Sequence, residues 1–196
     1  VSLVDDAAPG RASGAAAGVI NPITGRRFTL DENVGKLLSA ARATYAELEH
    51  ICGRRYFHPM QIQREIASEE ERQLIRQRLT QPEIRTFVSE SNAIIGEPEA
   101  VMIHGGGWLD YEALLALPEI IGVEVIREKF QLPDLVQSPN GMEWRGQRWT
   151  AVVLCQGYRQ PAVGLSESDW NPAAGEILTL KLPGWDEARI RMRRCF

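Results

Sequence analysis

The residues best suited to chemistry stand near the amino end of the chain. Val1-Ser2-Leu3-Val4 is a short β-prone run that ends in two carboxylates, Asp5 and Asp6. In dinucleotide-binding βαβ units, a carboxylate at a strand end contacts the ribose hydroxyls about 20 residues after a G-x-G-x-x-G fingerprint. The chain has no such fingerprint, and by itself a strand followed by two Asp residues is more typical of a solvated turn.

A segment of small residues follows the two carboxylates. Residues 10–18 read Gly-Arg-Ala-Ser-Gly-Ala-Ala-Ala-Gly. A backbone with so few large side chains can approach a bulky ligand or another backbone closely. The composition leaves both readings open, a ligand surface and a tight helix–sheet contact.

Other candidate residues give weaker signals. His58 follows two aromatic residues and could line a substrate cavity, although a histidine on an aromatic strand more often serves packing. His104 precedes three glycines, a pattern of oxyanion loops, but a turn is the commoner reading. Ser13 lacks a G-x-S-x-G elbow, so serine-hydrolase chemistry is poorly supported. Arginines alternate at 189, 191 and 193, which is more typical of an exposed edge strand than of an anion site.

Composition excludes several classes of protein. The 196 residues are 44% hydrophobic and 24% charged, which argues against disorder, collagen and a long coiled coil. A formal net charge of −4 removes the global positive field usual in non-specific nucleic-acid binding, so a nucleic-acid partner is not expected. No apolar run approaches the roughly 20 residues that cross a bilayer, and no membrane partner is expected.

The three cysteines, Cys52, Cys155 and Cys195, show no C-x-x-C or Cys/His spacing. This pattern argues against a structural zinc site and against a disulfide framework. A reducing compartment fits it best, and we expect a cytoplasmic protein without a metal.

Local patterns predict the elements that must position these residues. We expect a helix over 32–52 between Asp31 as N-cap and Gly53, with Leu37 among its inward residues. A capping box at Ser68 starts a second helix, and Asp110 caps a third that Pro118 interrupts. Strand predictions cover 122–126, a hairpin turning at Asn140-Gly141, residues 150–155 as a strand covered on both faces, and residues 176–182.

Taken together, four segments resemble the D-amino-acid oxidase and glycine oxidase superfamily of FAD-dependent oxidoreductases. The amino-terminal segment, ending in Gly18-Val19-Ile20-Asn21-Pro22-Ile23-Thr24-Gly25-Arg26-Arg27, resembles the part just after the family's glycine fingerprint. Gly106-Gly107-Trp108-Leu109-Asp110 resembles the return from substrate domain to FAD domain. Further matches are Val152-Val153-Leu154-Cys155-Gln156-Gly157 and Pro172-Ala173-Ala174-Gly175-Glu176-Ile177-Leu178. The matches occur in family order and span most of the chain.

The resemblance implies an FAD site, with Asp5, or Asp6 if the register shifts by one, on the adenosine ribose. Arg11, Ala12 and Ser13 would lie along the pyrophosphate and ribityl chain, where a hydroxyl and open N–H groups suit a phosphate. Close approach to the flavin is implied for Ala15, Ala16, Ala17 and Gly18. Phe130 would lie near the adenine, Gly157 would let a second crossing approach the cofactor, and His58 remains the substrate-binding candidate.

The resemblance also implies an α/β fold, with a partial Rossmann-like FAD-binding domain and a discontinuous, mostly antiparallel substrate domain. The FAD-binding domain would comprise residues 1–45 and 108–160, and the substrate domain residues 46–107 and 161–196. The implied activity is oxidation of an amine or amino acid by hydride transfer to flavin. No catalytic residue and no electron acceptor can be assigned.

Two alternatives stay open: a non-catalytic binding or assembly module on the same scaffold, and the flavin domain of a tRNA-modifying oxidoreductase. The family's glycine loop and its C-terminal substrate-binding part have no counterpart in the sequence, and Cys155-Gln156-Gly157-Tyr158 departs from the small residues usual there. We therefore expect an excised middle of a longer enzyme that by itself retains FAD weakly or not at all and shows no turnover.

Overall fold

The computed structural model describes residues 1–7, 12–90, 98–155, 157, 183–184 and 189–192. The chain divides into two compact units. The first unit comprises residues 1–16 and 115–178, and the second comprises residues 17–114 and 179–196. The predicted FAD-binding and substrate domains have other boundaries, and their assignment to stretches of the chain stays a prediction.

Helices and strands alternate through the described residues, which gives a mixed α/β fold with several antiparallel sheets. The strands are β1 (Ser2–Val4), β2 (Val19–Ile20), β3 (Ile23–Thr24), β4 (Thr29–Leu30), β5 (Phe57–Pro59), β6 (Gln61–Glu65), β7 (Val88–Glu90), β8 (Ala100–Ile103), β9 (Gly107–Leu109), β10 (Glu124–Ile126), β11 (Leu135–Ser138), β12 (Gly141–Trp144), β13 (Gln147–Trp149) and β14 (Arg189–Met192). The α-helices are α1 (Val34–Cys52), α2 (Glu69–Arg78), α3 (Pro82–Arg85), α4 (Tyr111–Leu115) and α5 (Leu117–Ile120).

The first unit contains a parallel pair and an antiparallel meander. Strand β1 runs parallel to β10, with Ser2 opposite Glu124 and Val4 opposite Ile126. Strands β11, β12 and β13 form an antiparallel sheet. The turn between β11 and β12 falls at Asn140-Gly141, as the hairpin pattern predicted.

Antiparallel pairing predominates in the second unit. Its largest sheet has the strand order β14-β6-β8-β7, in which β14 is parallel to β6 and the other pairs are antiparallel. A second sheet has the order β2-β9-β5, and β3 pairs with β4. The alternating arginines predicted an edge strand, and β14 indeed lies at the edge of its sheet.

The main hydrophobic core lies on one face of the four-stranded sheet. Side chains of β6, β7 and β8 meet those of α2 and α3 and of the turn after β3. Its buried members are Ile23, Phe28, Ile62, Ile75, Ile84, Val88, Val101 and Ile103. Burial of this apolar surface supplies the main driving force for folding of the unit.

One charged side chain is buried beside this core. Arg64 on β6 is only 3% exposed, and its guanidinium lies 5.1 Å from the centre of the Phe28 ring. It donates to the Gly25 carbonyl at 3.0 Å and to the Glu71 carboxylate at 2.7 Å. These partners compensate for the loss of hydration that burial of a charge requires.

Helix α1 follows the prediction at its end but not at its start. Gly53 adopts φ +63° and ends the helix as predicted. The N-cap is Asn33 rather than Asp31, whose carboxylate accepts from the Asn33 N–H in the preceding turn. Leu38 is the buried residue, whereas Leu37 is 60% exposed. Leu37 and Leu38 are neighbours in the helix, and both lie close to its apolar stripe. The spacing of apolar residues alone therefore could not decide which of the two is buried.

The other helix predictions are confirmed. Ser68 caps α2 by accepting from the Glu71 N–H at 3.2 Å. Asp110 accepts from the Ala113 N–H at 3.0 Å at the start of α4. Pro118 stands in the first turn of the separate helix α5, as its missing N–H requires.

The predicted strand over 150–155 is wrong. Residues 151–155 have no regular secondary structure, and Val153 is 84% exposed. An apolar run predicts a buried strand only where partner strands pair with it, and the described residues provide no such pairing. The predicted strand over 176–182 lies outside the described residues. Within the described part of the chain, no helix is long and apolar enough to cross a membrane.

Candidate functional site

The carboxyl end of the parallel pair in the first unit presents the side chain of Asp5. The Asp5 N–H donates to the Ile126 carbonyl at 3.0 Å, which fixes the residue at the strand end. Its Oδ1 accepts from the Ala7 N–H at 3.1 Å, and its Oδ2 accepts from Arg127 at 3.0 Å. The side chain is 25% exposed. Ligands of open α/β sheets bind at such strand ends.

Arg127 is a site residue that the sequence reasoning missed. It follows β10 directly and bridges Asp5 to Glu119, with a distance of 2.6 Å to the Glu119 carboxylate. Its side chain is half exposed. The bridge fixes the orientation of the Asp5 carboxylate. A basic residue directly after the strand predicted over 122–126 was the available signal.

The segment of small residues is open on the surface. Ala12, Ser13 and residues 15–17 are all exposed. A short 3-10 turn over Ser13–Ala15 orders the segment, with the Ala15 N–H donating to the Ala12 carbonyl at 3.2 Å. A Cβ built on Gly14 would meet nothing within 4 Å. Asp6 is half-buried, and Arg11 lies outside the described residues.

Gly18 differs from its neighbours because another backbone covers it. It is buried with φ +68°, and a Cβ there would lie 2.3 Å from the Leu109 carbonyl oxygen. The Leu109 N–H donates to the Gly18 carbonyl at 2.9 Å. This close approach accounts for the glycine without any ligand.

Phe130 packs in the first unit against the buried indole of Trp144. The two ring centres are 6.0 Å apart. Trp144 is 5% exposed, and its Nε1 has no hydrogen-bond partner among the described residues. Because a buried N–H without an acceptor is costly, the indole is a donor that a ligand could use. Gly157 has φ +62°, and a Cβ built on it would meet nothing within 4 Å.

His58 lies on β5 in the second unit and stacks on Trp108 of β9. The two ring centres are 4.1 Å apart with an interplanar angle of 7°. The residues are directly opposite in the antiparallel pair, a position in which aromatic side chains stabilise a sheet. Packing therefore accounts for His58, and its role toward a substrate stays a prediction.

The two units divide the predicted site residues between them. In the first unit lie Asp5, Asp6, Ala12, Ser13, Ala15, Ala16, Phe130 and Gly157; in the second lie Ala17, Gly18 and His58. Among the residues that the structure describes, no group of three or more His, Cys, Asp or Glu side chains could hold a metal ion.

Comparison with solved structures finds larger proteins that match part of this chain. The chain is similar to L-amino acid deaminase from Proteus vulgaris, with a TM-score of 0.50 and 14% sequence identity over 72% of this chain. Two structures of NikD, an unusual amino acid oxidase essential for nikkomycin biosynthesis, match 71% of this chain with TM-scores of 0.42 and 0.40 and identities of 15% and 14%.

These matches cover only part of the larger proteins. The chain spans 36% of the length of the deaminase and 39% of the length of NikD. No protein-family model and no curated protein matches the chain. At this level of identity, the likeness to the deaminase shows a shared fold.

Proposed function

We propose that the chain is part of an FAD-dependent oxidoreductase that oxidises an amine or amino acid. The observation that carries this proposal is the carboxylate of Asp5, held at the carboxyl end of a parallel strand pair. It lies in a chain whose fold is similar to that of an amino acid deaminase. A Rossmann-like arrangement of the FAD-binding part, over residues 1–45 and 108–160, belongs to the same proposal.

The residues of the first unit fit the adenosine and phosphate parts of FAD. Asp5 Oδ1 accepts from the Ala7 N–H and Oδ2 accepts from Arg127. A carboxylate oxygen can accept more than one hydrogen bond, so a ribose hydroxyl can donate to the same carboxylate. The Ser13 hydroxyl is exposed and can donate to a phosphate. Beside Phe130, the buried Trp144 N–H can donate to a ring nitrogen of adenine.

The remaining predicted contacts follow the same pattern. Arg11 and Ala12 would lie along the pyrophosphate, and Asp6 would take the ribose in the shifted register. Ala15, Ala16 and Ala17 expose short side chains that let a flat ring approach the backbone. Gly18 would end this surface, and Gly157 would leave space for the cofactor. When bound, FAD supplies the redox chemistry by accepting a hydride from the carbon that bears the amine.

The chain's own residues bind and orient in this proposal. Asp5 holds the ribose, Arg127 holds Asp5, and the small residues set how closely the ring lies against the backbone. In such an enzyme the protein holds the reacting carbon of the substrate against the ring. No general base is assigned.

The test is flavin spectroscopy on the full-length protein. We expect a bound-flavin absorbance that a substrate amine or amino acid bleaches under anaerobic conditions. Asp5→Ala should weaken FAD affinity at least tenfold, because it removes the ribose acceptor, whereas the exposed Asp134→Ala should leave the affinity unchanged. A colourless protein indifferent to added FAD would contradict the proposal and favour a non-catalytic module, and RNA binding would favour a tRNA-modifying enzyme.

A further inference from the structure

The four-stranded sheet β14-β6-β8-β7 has two faces of opposite character. Ile62, Val88 and Ile103 point into the hydrophobic core. Because side chains alternate along a strand, the residues between them lie on the other side of the sheet. We call this side the polar face: Gln61, Gln63, Glu65, Ser89, Met102, His104, Arg189 and Arg191.

Gln63 lies at the centre of the polar face with an unused hydrogen-bond acceptor. The residue is 1% exposed, and its Oε1 has no hydrogen-bond partner among the described residues. An amide oxygen that loses water without gaining a donor costs free energy. A site that receives a donor from a ligand is one reason to retain such a group.

The neighbours of Gln63 in the sheet are long and adaptable. Met102 is opposite it on β8, and Arg191 is opposite it on β14. Both side chains have several rotatable bonds and can change rotamer without movement of the backbone.

The rest of the polar face is already ordered by hydrogen bonds. The His104 Nε2 lies 2.7 Å from the Ser89 hydroxyl, and its Nδ1 lies 3.3 Å from the Gln61 amide nitrogen. Among the described residues of the polar face, two are arginines, 189 and 191, and one is a carboxylate, Glu65, so their summed formal charge is positive. The face thus combines positive charge with one buried acceptor that lacks a donor.

We propose that the polar face binds the amino-acid substrate, with its amine N–H donating to Gln63 Oε1 and its carboxylate on the side of Arg189 and Arg191. A ligand with both an N–H donor and an anionic group satisfies both features of the face. The proposal rests on the proposed function for the class of substrate. It assigns to Gln63 the selection of amine-bearing ligands, whereas the substrate-binding candidate from the sequence was His58.

The test compares ligands that differ only in the amine. Isothermal titration calorimetry on the full-length protein would use two pairs of probes: alanine, as both enantiomers, with propionate, and L-phenylalanine with 3-phenylpropionate. We expect the wild-type protein to bind at least one amino acid tenfold or more tightly than its amine-free partner. In Gln63→Leu this ratio should fall below about threefold, while the affinity for the amine-free acid stays within twofold of wild type.

Two variants separate binding from folding. Gln63→Leu and Gln63→Met both remove an unpaired acceptor, so the melting temperature should stay the same or rise. Gln137→Leu, at an exposed position of β11, makes the same chemical change outside the face and should leave the ratio unchanged. A wild-type protein with no preference for the amine, or a Gln63→Leu protein that keeps it, would overturn the assignment.

Failure of this inference is distinguishable from failure of the proposed function. Calorimetry reports binding whether or not flavin is reduced. A protein that binds FAD and is bleached by an amino acid, but whose amine preference survives Gln63→Leu, retains the proposed function and loses the Gln63 assignment. A protein that binds no FAD loses the proposed function, whereas the preference ratio still decides the role of Gln63.

Discussion

The two units differ in how much apolar surface they bury. In the second unit, Ile23, Phe28, Ile62 and Ile103 have no exposed surface. In the described part of the first unit, Trp144 is the one buried apolar residue, whereas several large apolar side chains there are exposed, among them Val153 at 84%. Because apolar burial dominates the free energy of folding, the second unit holds most of the stability that the described residues provide.

This difference predicts that mutations and ligands affect the two units differently. A unit with a closed core keeps its geometry without a ligand and can hold residues such as Gln63 in fixed positions. A unit that leaves short side chains and a strand-end carboxylate exposed gains contacts when a ligand covers them. Mutations in the core of the second unit should therefore act mainly on stability, and ligands of the first unit should act mainly on that unit.

The largest expected effect is the loss of a core side chain from the second unit. Ile62→Ala removes a fully buried side chain from the sheet and should lower the free energy of unfolding by about 3–4 kcal/mol. Urea denaturation would measure the change. Ile51→Ala, at a position that is 61% exposed, is the matched control and should change stability by less than about 1 kcal/mol. Equal effects of the two substitutions would mean that burial in the core does not account for the stability of the second unit.

A smaller effect is expected where two backbones meet. Gly18→Ala combines an unfavourable positive φ with a Cβ that would lie 2.3 Å from the Leu109 oxygen, so it should cost about 2–4 kcal/mol. Gly25→Ala has a similar φ of +67° but open space around the Cβ, and should cost about 1–2 kcal/mol. If both substitutions lower the free energy of unfolding equally, contact with Leu109 does not explain the glycine at position 18. A ligand surface would then explain this glycine better.

Local signals were enough to predict several elements. Ser68, Asp110 and Gly53 each act through a hydrogen bond or backbone conformation within a few residues, so sequence alone locates the helix ends. The turn at Asn140-Gly141 is equally local. The strand ending at Asp5 was predicted for the same reason, together with the carboxylate that ends it.

Features that depend on distant partners could not be predicted. The apolar run at 150–155 carries no information about whether other strands pair with it. Arg127 reaches Asp5 across 122 residues, and Gln63 lies between Met102 and Arg191 because β8 and β14 flank β6. Likewise, the partner of His58 is Trp108 on another strand. The strand-end carboxylate is thus a local signal, whereas the polar face arises only from the pairing of strands.

FAD binding should protect the two units from hydrogen exchange to different extents. At a concentration of about 100 times its Kd, FAD should stabilise the full-length protein by about 2.7 kcal/mol. The added protection from hydrogen exchange should appear in residues 1–7, 12–16 and 115–155, with much less in the core strands at 57–65. Mass spectrometry of exchanged peptides would measure it. Protection confined to the second unit would contradict the adenosine and phosphate contacts proposed for the first.

The smallest expected effect is a loss of folding stability at acid pH, and it arises in the second unit. Glu49 and Asp110 are carboxylates of this unit that accept backbone hydrogen bonds. The N–H of Phe57, followed by that of Tyr56, holds the pKa of Glu49 below its ordinary value. The N–H of Ala113, followed by Arg54, does the same for the pKa of Asp110.

A lowered pKa in the folded state fixes the sign of the pH dependence. The stabilisation from Glu49 and Asp110 is fully present above their unfolded-state pKa values and is lost as the pH falls through the folded-state values, so stability should decline below about pH 4.5.

Glu49→Gln should flatten this decline, while Glu47→Gln, at an exposed position of the same helix, should not. Asp110→Ala also removes a helix cap and should cost about 1 kcal/mol at neutral pH. Urea midpoints measured from pH 3 to 7 would decide, since an unchanged acid limb in Glu49→Gln would mean that Glu49 does not contribute to it.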